Sequence, residues 1–456
     1  MEPVRMGNRI ELFVDGAMAE RMDGAYLKMH KPEPKETVLV TNDTWERELG
    51  YTTVISNGAG GYFLYYRGQG ESLSGKDEDT GQVTCLCRSA DGVKFKRENL
   101  GLVPYMGSKQ NNIILKGANS TNFTPFLDTN PDCRPDQKFK AIGGIMSNEN
   151  NGVKGGLYAY ASPDGIAWKM IGDSPVVTDG LFDSQNLAFY DANISKYRCY
   201  SRYWDEGGAS SYFGGFRAIQ SCVSDDFINW SKPAHNDYGE PVTEHFYTNG
   251  VVPCPGADHI LLSFPKRFNQ ERKKVSDWKE IGISDAVFMA SRDGVKWKRL
   301  FKESWLRPGP DIHNWTDRNM LIGSGIVVMP DESFSLYYTE HNRIPDNRIR
   351  RLSVRKHGFV SLSASWGIGR ASTPPLLYEG GGLRFNYSTS AAGYIKAWMS
   401  LADETPDMPA DACELYGDAV DESYPLGGSM EKYAGRAVRL HFELKDADLF
   451  SFVFKK

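Results

Sequence analysis

One short turn is written four times in this chain: "SADGVKFK" from Ser89, "SPDGIAWK" from Ser162, "SDDFINWS" from Ser224 and "SRDGVKWK" from Ser291. Successive serines are 73, 62 and 67 residues apart. An Asp-Gly corner between β-prone runs predicts a tight hairpin, with a type I′ turn that needs positive φ at both central residues. Each copy therefore reads as strand, turn, strand. Upstream of each copy lies a second predicted hairpin, at 50–68, 122–144, 185–204 and 248–267. A fifth, at 320–341, is followed by the degenerate pair "RRLSVRKHGFVSL".

No helical period separates these units. Five units of four strands predict an all-β chain whose residues 41–362 form a five-bladed β-propeller, since radial repetition leaves only short sheet edges. After residue 362 the corner disappears and longer alternating runs take over, as in "GRAVRLHFELKDADLFSFVFKK". Residues 363–456 are expected to form a C-terminal β-sandwich. Residues 1–40, with "RIELFVDG" and "AYLKMHKPE", are expected to pack on the propeller or close its ring.

Composition narrows the partners. A net charge of -5 with scattered Lys and Arg leaves no electrostatic footprint for nucleic acid. No apolar run approaches the roughly 20 residues of a membrane span. The seven cysteines show neither CxxC nor zinc spacing and read as buried thiols. No apolar leader opens the sequence, so a cytoplasmic location is the default expectation, periplasmic or secreted if a leader has been trimmed. No cofactor and no metal are expected, because the histidines lack ligand spacing.

Topology then sorts the carboxylates. If the innermost strand of each blade runs downward, the Asp-Gly corners fall on the bottom face, and the segments entering each innermost strand gather on top around the axis. That funnel is where a small ligand would bind. The entering segments are "DTWERELGY", "ANSTNF", "DGLFDSQN", "VTEHFYTN" and "HNWTDRNM". They bring Glu46 or Glu48, Asp183, Glu244 and Asp317 to one height, with Gln185, Asn186, His245, Tyr247, Asn249, Trp315 and Arg318 beside them. Like charges gathered in a cleft raise one another's pKa and separate into acid and base. The loops after the second strands add Arg67, Arg202, Lys266, Arg267, Glu340, His341 and Arg343. Rings that stack on sugar faces, with Arg, His and Asn for the hydroxyls, predict a carbohydrate pocket.

With these residues on view, "IELFVDG", "GYTTV", "GLFDSQNLAFYD", "EHFYTN", "NWTDRNM" and "LKDADLFSF" closely resemble a bacterial group termed glycosyl hydrolase family 32-like. More broadly the chain resembles the furanosidase-type propeller hydrolases of families 32, 43, 68 and 117. The family 43 pattern of base, modulator and acid implies Glu46, Asp183 and Glu244, which stand 137 and 61 residues apart. "WMNDPNG", "RDP" and "EC" of family 32 are absent, and the first role falls on Glu rather than Asp, so Glu48, Asp317 or Glu340 could replace Glu46.

The resemblance implies a glycoside hydrolase cleaving a terminal furanoside-like sugar, of fructo- or arabinofuranosyl type. A carboxyl separation of roughly 5–5.5 Å would give retention and 6.5–9.5 Å inversion. Two alternatives stay open: a glycoside phosphorylase, holding phosphate on Arg202, Lys266, Arg267, His341 and Arg343, and a non-catalytic carbohydrate-binding propeller. An oligosaccharide or glycoside is the expected partner, with no nucleic acid and no membrane, and self-association is left open.

Overall fold

The computed structural model describes residues 2–70, 81–145, 154–205, 215–404, 408–410, 412–426 and 430–456. It is nearly all β: among the described residues the helical turns are short 3₁₀ pieces of three or four residues. The chain divides into two compact units, Pro32–Ser353 and a second made of Met1–Lys31 with Val354–Lys456.

Within Pro32–Ser353 antiparallel sheets follow one another in chain order. The first contains Glu48–Ser56, Tyr62–Gln69 and Gln82–Ser89, whose outer edge is shared by Lys96–Arg97 and Ile113–Lys116. The second is Thr124–Leu127, Phe139–Ile145, Gly156–Ser162 and Lys169–Met170. Leu187–Asp191, Lys196–Trp204, Arg217–Ser224 and Ala234–His235 make the third. In the fourth region the hydrogen bonding splits into two three-stranded sheets. One runs through Ala257–Ser263 and the other through Lys266–Asn269. The break falls at Pro265, which has no N–H for a ladder. The fifth sheet takes its outer strand from early in the sequence: Glu33–Val40 pairs with Arg348–Val354, beyond Phe334–Glu340.

The four corners sit at the end of the third strand of their sheets, but their chemistry differs from the expected two-residue hairpin. Only one residue of each corner has positive φ: Gly92 at 72°, Gly165 at 74°, Phe227 at 69° and Gly294 at 77°. The aspartate instead caps the turn, Asp91 Oδ1 accepting from the amides of Val93 and Lys94 at 2.9 and 2.8 Å. Asp164, Asp226 and Asp293 repeat this bond for bond. An Asx-type cap satisfies two amides locally, so the turn forms without a second left-handed residue. Those amide bonds hold the Asp91 carboxyl down at about 2.

The corners also join sheets. Tyr65 of the first sheet donates to Gly165 O at 2.7 Å, Tyr200 of the third to Gly294 O at 2.8 Å, and Tyr337 of the fifth to Gly92 O at 2.6 Å. First and fifth sheets meet again where Val54 N bonds Ser324 O at 2.9 Å. The apolar core lies between sheets, with Phe126, Leu157, Phe189, Tyr197, Phe227 and Trp297 in one buried cluster.

In the second unit, two 20-residue strands, Gly382–Leu401 and Arg436–Lys455, pair antiparallel through two irregularities. They anchor a ten-stranded sheet that Glu11–Leu12, Arg21–Asp23 and Tyr26–Met29 also join. Phe13 packs there on Phe452 and Phe442, at 6.0 and 6.4 Å between ring centres.

Candidate functional site

The segments that enter the first strands of four sheet regions carry a backbone signature as well as polar residues. Tyr51, Asn122 and Met320 hold φ of 48°, 55° and 57°, and Gly250 takes 52° at the matching place in the fourth region. Left-handed backbone at non-glycine residues is strained and persists only where surrounding structure imposes it.

All five sheet regions contribute to one polar cluster. Glu48 of the first accepts from Arg67 at 3.4 Å, from Arg318 at 3.3 Å and from Arg343 at 3.0 Å. Asp317, from the entrance to the fifth, accepts from Arg318 at 3.0 Å and from the Trp278 indole at 3.0 Å. Asp183, from the entrance to the third, is paired with Arg202. From the fourth, the Tyr247 ring has Arg202, Arg217 and Lys266 at 5.5, 5.0 and 4.8 Å from its centre. Arg67 stacks 4.6 Å over Tyr51 and reaches Asn122 at the entrance to the second sheet.

Burial differs sharply across the cluster. The Asp183 side chain is 52 % exposed, whereas Arg202 is 4 % and Lys266 1 %. Burial, helped by Arg318, pulls the Lys266 ammonium down to about 7, against the opposing charge of Asp317. Burial alone would raise the Tyr247 phenol, but Arg318, Arg202, Arg217 and Arg67 outweigh it and draw it below its ordinary value. Tyr51 goes up to about 12, through burial first and Tyr247 second. Lys266 Nζ donates to Asp317 O at 2.8 Å. The amides Gln185, Asn186 and Asn249 are buried braces, bonded to the carbonyls of Thr52, Phe182, Ser184 and Gln185.

Other expected residues lie apart from this cluster. Glu46 is fully buried, held by Tyr66 and by Arg97 at 2.7 Å. Glu244 binds Arg299 and lies 3.2 Å from Arg267, which also pairs with Asp285. Strand alternation explains the separation: His245 and Tyr247 turn one way and Glu244 and Phe246 the other. Glu244, Arg267, Asp285, Arg307 and Trp315 line an open cavity of about 770 Å³ instead. His245 accepts from Arg217 N at 3.1 Å and is pushed down to about 4 by burial and by the Arg217 charge.

Glu340 is tied to Tyr338 at 2.6 Å and to Arg348 at 2.9 Å. His341 bridges Asp346 and Asp311, each at 2.7 Å. Asp311, His313 and His341 could bring one ligand atom each within 4.8 Å of the others. Arg348 lies 3.2 Å from the same His341 Nε2, however, so a guanidinium already neutralises that corner.

Sequence reasoning missed Arg217, Tyr51 and Trp278. Arg217 opens the third strand of its sheet and pairs in register with Trp204. The signal was the loop after the second strand, whose far end contributes to the funnel as much as its near end.

No family model matches the chain, and no curated protein matches it; family 32 in particular gains no support. Among solved structures, the chain is similar to a family 43 arabinoxylan arabinofuranohydrolase from Bacillus subtilis, with TM-score 0.45, 11 % identity, 92 % of this chain and 99 % of that one covered. It is similar to an N-acetylgalactosamine deacetylase from F. plautii, with TM-score 0.45, 13 % identity and coverage of 74 % and 95 %. For an endo-arabinase from Bacteroides thetaiotaomicron the values are 0.40, 10 %, 70 % and 98 %. All three lie below a TM-score of 0.5, and the reading of the site rests on its own residues.

Proposed function

We propose that this chain is a glycoside-cleaving enzyme, a glycoside hydrolase in the first instance, built as a five-bladed β-propeller with a C-terminal β-sandwich and working at the axial cluster. One observation carries the reading: carboxylates from three inner-strand entrances, Glu48, Asp183 and Asp317, share a point with two tyrosine rings and their guanidinium partners. Asp183, the exposed member, is the carboxylate that meets substrate, as base toward water or as nucleophile toward the anomeric carbon. Glu48 stands at the first-blade position in place of Glu46, but the base role passes to Asp183; with Asp317, Glu48 fixes Arg318 and Arg343 as substrate-binding groups. Tyr247, drawn down by its guanidinium neighbours, is the proton donor to the leaving oxygen, the part the resemblance gave to Glu244.

The test is a panel of plant, algal and bacterial oligosaccharides, with product release measured with and without inorganic phosphate. Turnover without phosphate supports hydrolysis; phosphate-dependent turnover moves the site to phosphorolysis. Binding without any product leaves a carbohydrate-binding propeller. Turnover of a true substrate that survives Asp183→Asn unchanged overturns the site.

A further inference from the structure

The charge inventory of the axial cluster does not balance. Six cationic side chains, Arg67, Arg202, Arg217, Lys266, Arg318 and Arg343, face three carboxylates among the described residues, Glu48, Asp183 and Asp317. A fourth, Glu280, reaches only Arg343, at 4.0 Å. Uncompensated cations are costly away from water, and sites that keep them are usually completed by an anion.

The unmatched charge is located in particular atoms. Arg202 is only 4 % exposed, yet its Nε and Nη1 make no hydrogen bond to the described residues; among those residues the Nε atoms of Arg67 and Arg217 likewise find no acceptor. Lys266, 1 % exposed, gives one bond, to a neutral carbonyl. Around these buried groups, Arg318 and Arg343 keep 32 % and 27 % of their side chains exposed and Arg217 is partly exposed. Partly exposed guanidiniums and buried cations thus share one cluster, with Arg217, Arg202 and Lys266 all against the Tyr247 ring.

From this juxtaposition we propose that the axial cluster binds an oxyanion, and that the enzyme's substrate class is therefore an acidic glycoside whose carboxylate or sulfate seats between Arg217, Arg318 and Arg343. Guanidinium forks match planar carboxylate and tetrahedral oxyanions through paired N–H···O bonds, which a neutral sugar hydroxyl cannot reproduce. The same chemistry fits free phosphate. This inference rests on the glycoside-cleaving reading only for the sugar that carries the anion; the anion site itself stands on the cation surplus.

The experiment is thermal shift and titration calorimetry of the full chain with four probes: glucuronate, glucose 6-sulfate, inorganic phosphate and glucose. The proposal expects at least one anion to bind and stabilise the protein while glucose does not, with affinity falling as salt rises. Arg217→Gln should weaken that binding roughly tenfold or more, the value of a charge-assisted bond. Arg134→Gln, at an exposed pair with Asp136 far from the cluster in its hydrogen bonding, should leave it unchanged. Glucuronate or the sulfated sugar outranking phosphate identifies a sugar-borne anion; phosphate outranking both identifies a free co-substrate and overturns the acidic-glycoside assignment. No response to any anion, or a response equal in Arg217→Gln, overturns the anion site. Turnover of neutral glycosides without anion binding overturns this inference and keeps the enzyme reading; anion binding with no turnover of any glycoside does the reverse.

Discussion

Each corner aspartate takes its hydrogen bonds from the second and third residues that follow it and the serine two before it, so Asp91, Asp164, Asp226 and Asp293 are satisfied wherever their octapeptide is placed. Glu48 in the polar cluster draws its guanidinium partners from 19, 270 and 295 residues away. Both places concentrate acidic residues with donors. At the corners the donors are backbone amides and the account closes locally. In the cluster they are long cationic side chains from several sheets, and the account closes with charge left over. The first arrangement builds the fold, and the second is what a ligand can exploit.

The contrast predicts opposite mutant phenotypes. Asp183→Asn should cut kcat on a genuine substrate by about 10²–10⁴-fold, as loss of a positioned acid–base group does, while the melting temperature barely moves because the side chain is half exposed. Asp164→Ala should do the reverse, leaving kcat intact and costing about 1 kcal/mol for the lost cap, read by denaturant unfolding. A catalytic defect in Asp164→Ala would erase the distinction between the two regions.

Gly50→Ala sharpens the cluster side. A Cβ there would stand 2.9 Å from Arg67 Nη2 and 3.0 Å from its Nε, so the guanidinium must move. Ligand affinity should fall severalfold with little change in fold, measured by calorimetry against the unmutated chain. On the corner side, Tyr337→Phe removes the bond to Gly92 O and should cost about 1 kcal/mol of stability without touching affinity.

A pH series separates the regions again. Burial pulls the Lys266 ammonium down to about 7 in the folded chain, from an ordinary 10.5, so between these values the unfolded chain holds more protons. Stability from this group therefore rises with pH across that window: the full cost is present below pH about 7 and is gone above about 10. Lys266→Met should be most stabilising at low pH, the gain fading toward pH about 10. Anion affinity should run the other way, weakening above pH about 7 as the ammonium of Lys266 is lost beside Arg318, Arg217, Arg343, Asp317 and Tyr247. The smallest effect is expected at Arg134→Gln, an exposed ion pair worth little on its own.

Much of the β architecture could be read from residues alone. The corners and their upstream hairpins fall where alternation and Asp-Gly spacing put them, and Arg67, Arg202, Asp183, Tyr247, Asp317 and Arg318 do meet. The left-handed residues at Tyr51, Asn122 and Met320 form a second repeat that the sequence hides, because no glycine marks them. Glu46 and Glu48 looked equivalent two positions apart, yet one is sealed under Arg97 and the other opens to the cluster.

What the sequence determined by itself was what a few neighbouring residues can decide: strands from alternation, and a turn at each of the four Asp corners. Only the tertiary structure decided which carboxylates share a point, which partner strand Glu33–Val40 takes, and that, among the described residues, six cations converge on three acids. Those outcomes depend on which face of a strand a side chain occupies once sheets are placed beside one another. A one-residue change of phase, as between Glu244 and His245, sends neighbours in sequence to opposite sides of a sheet.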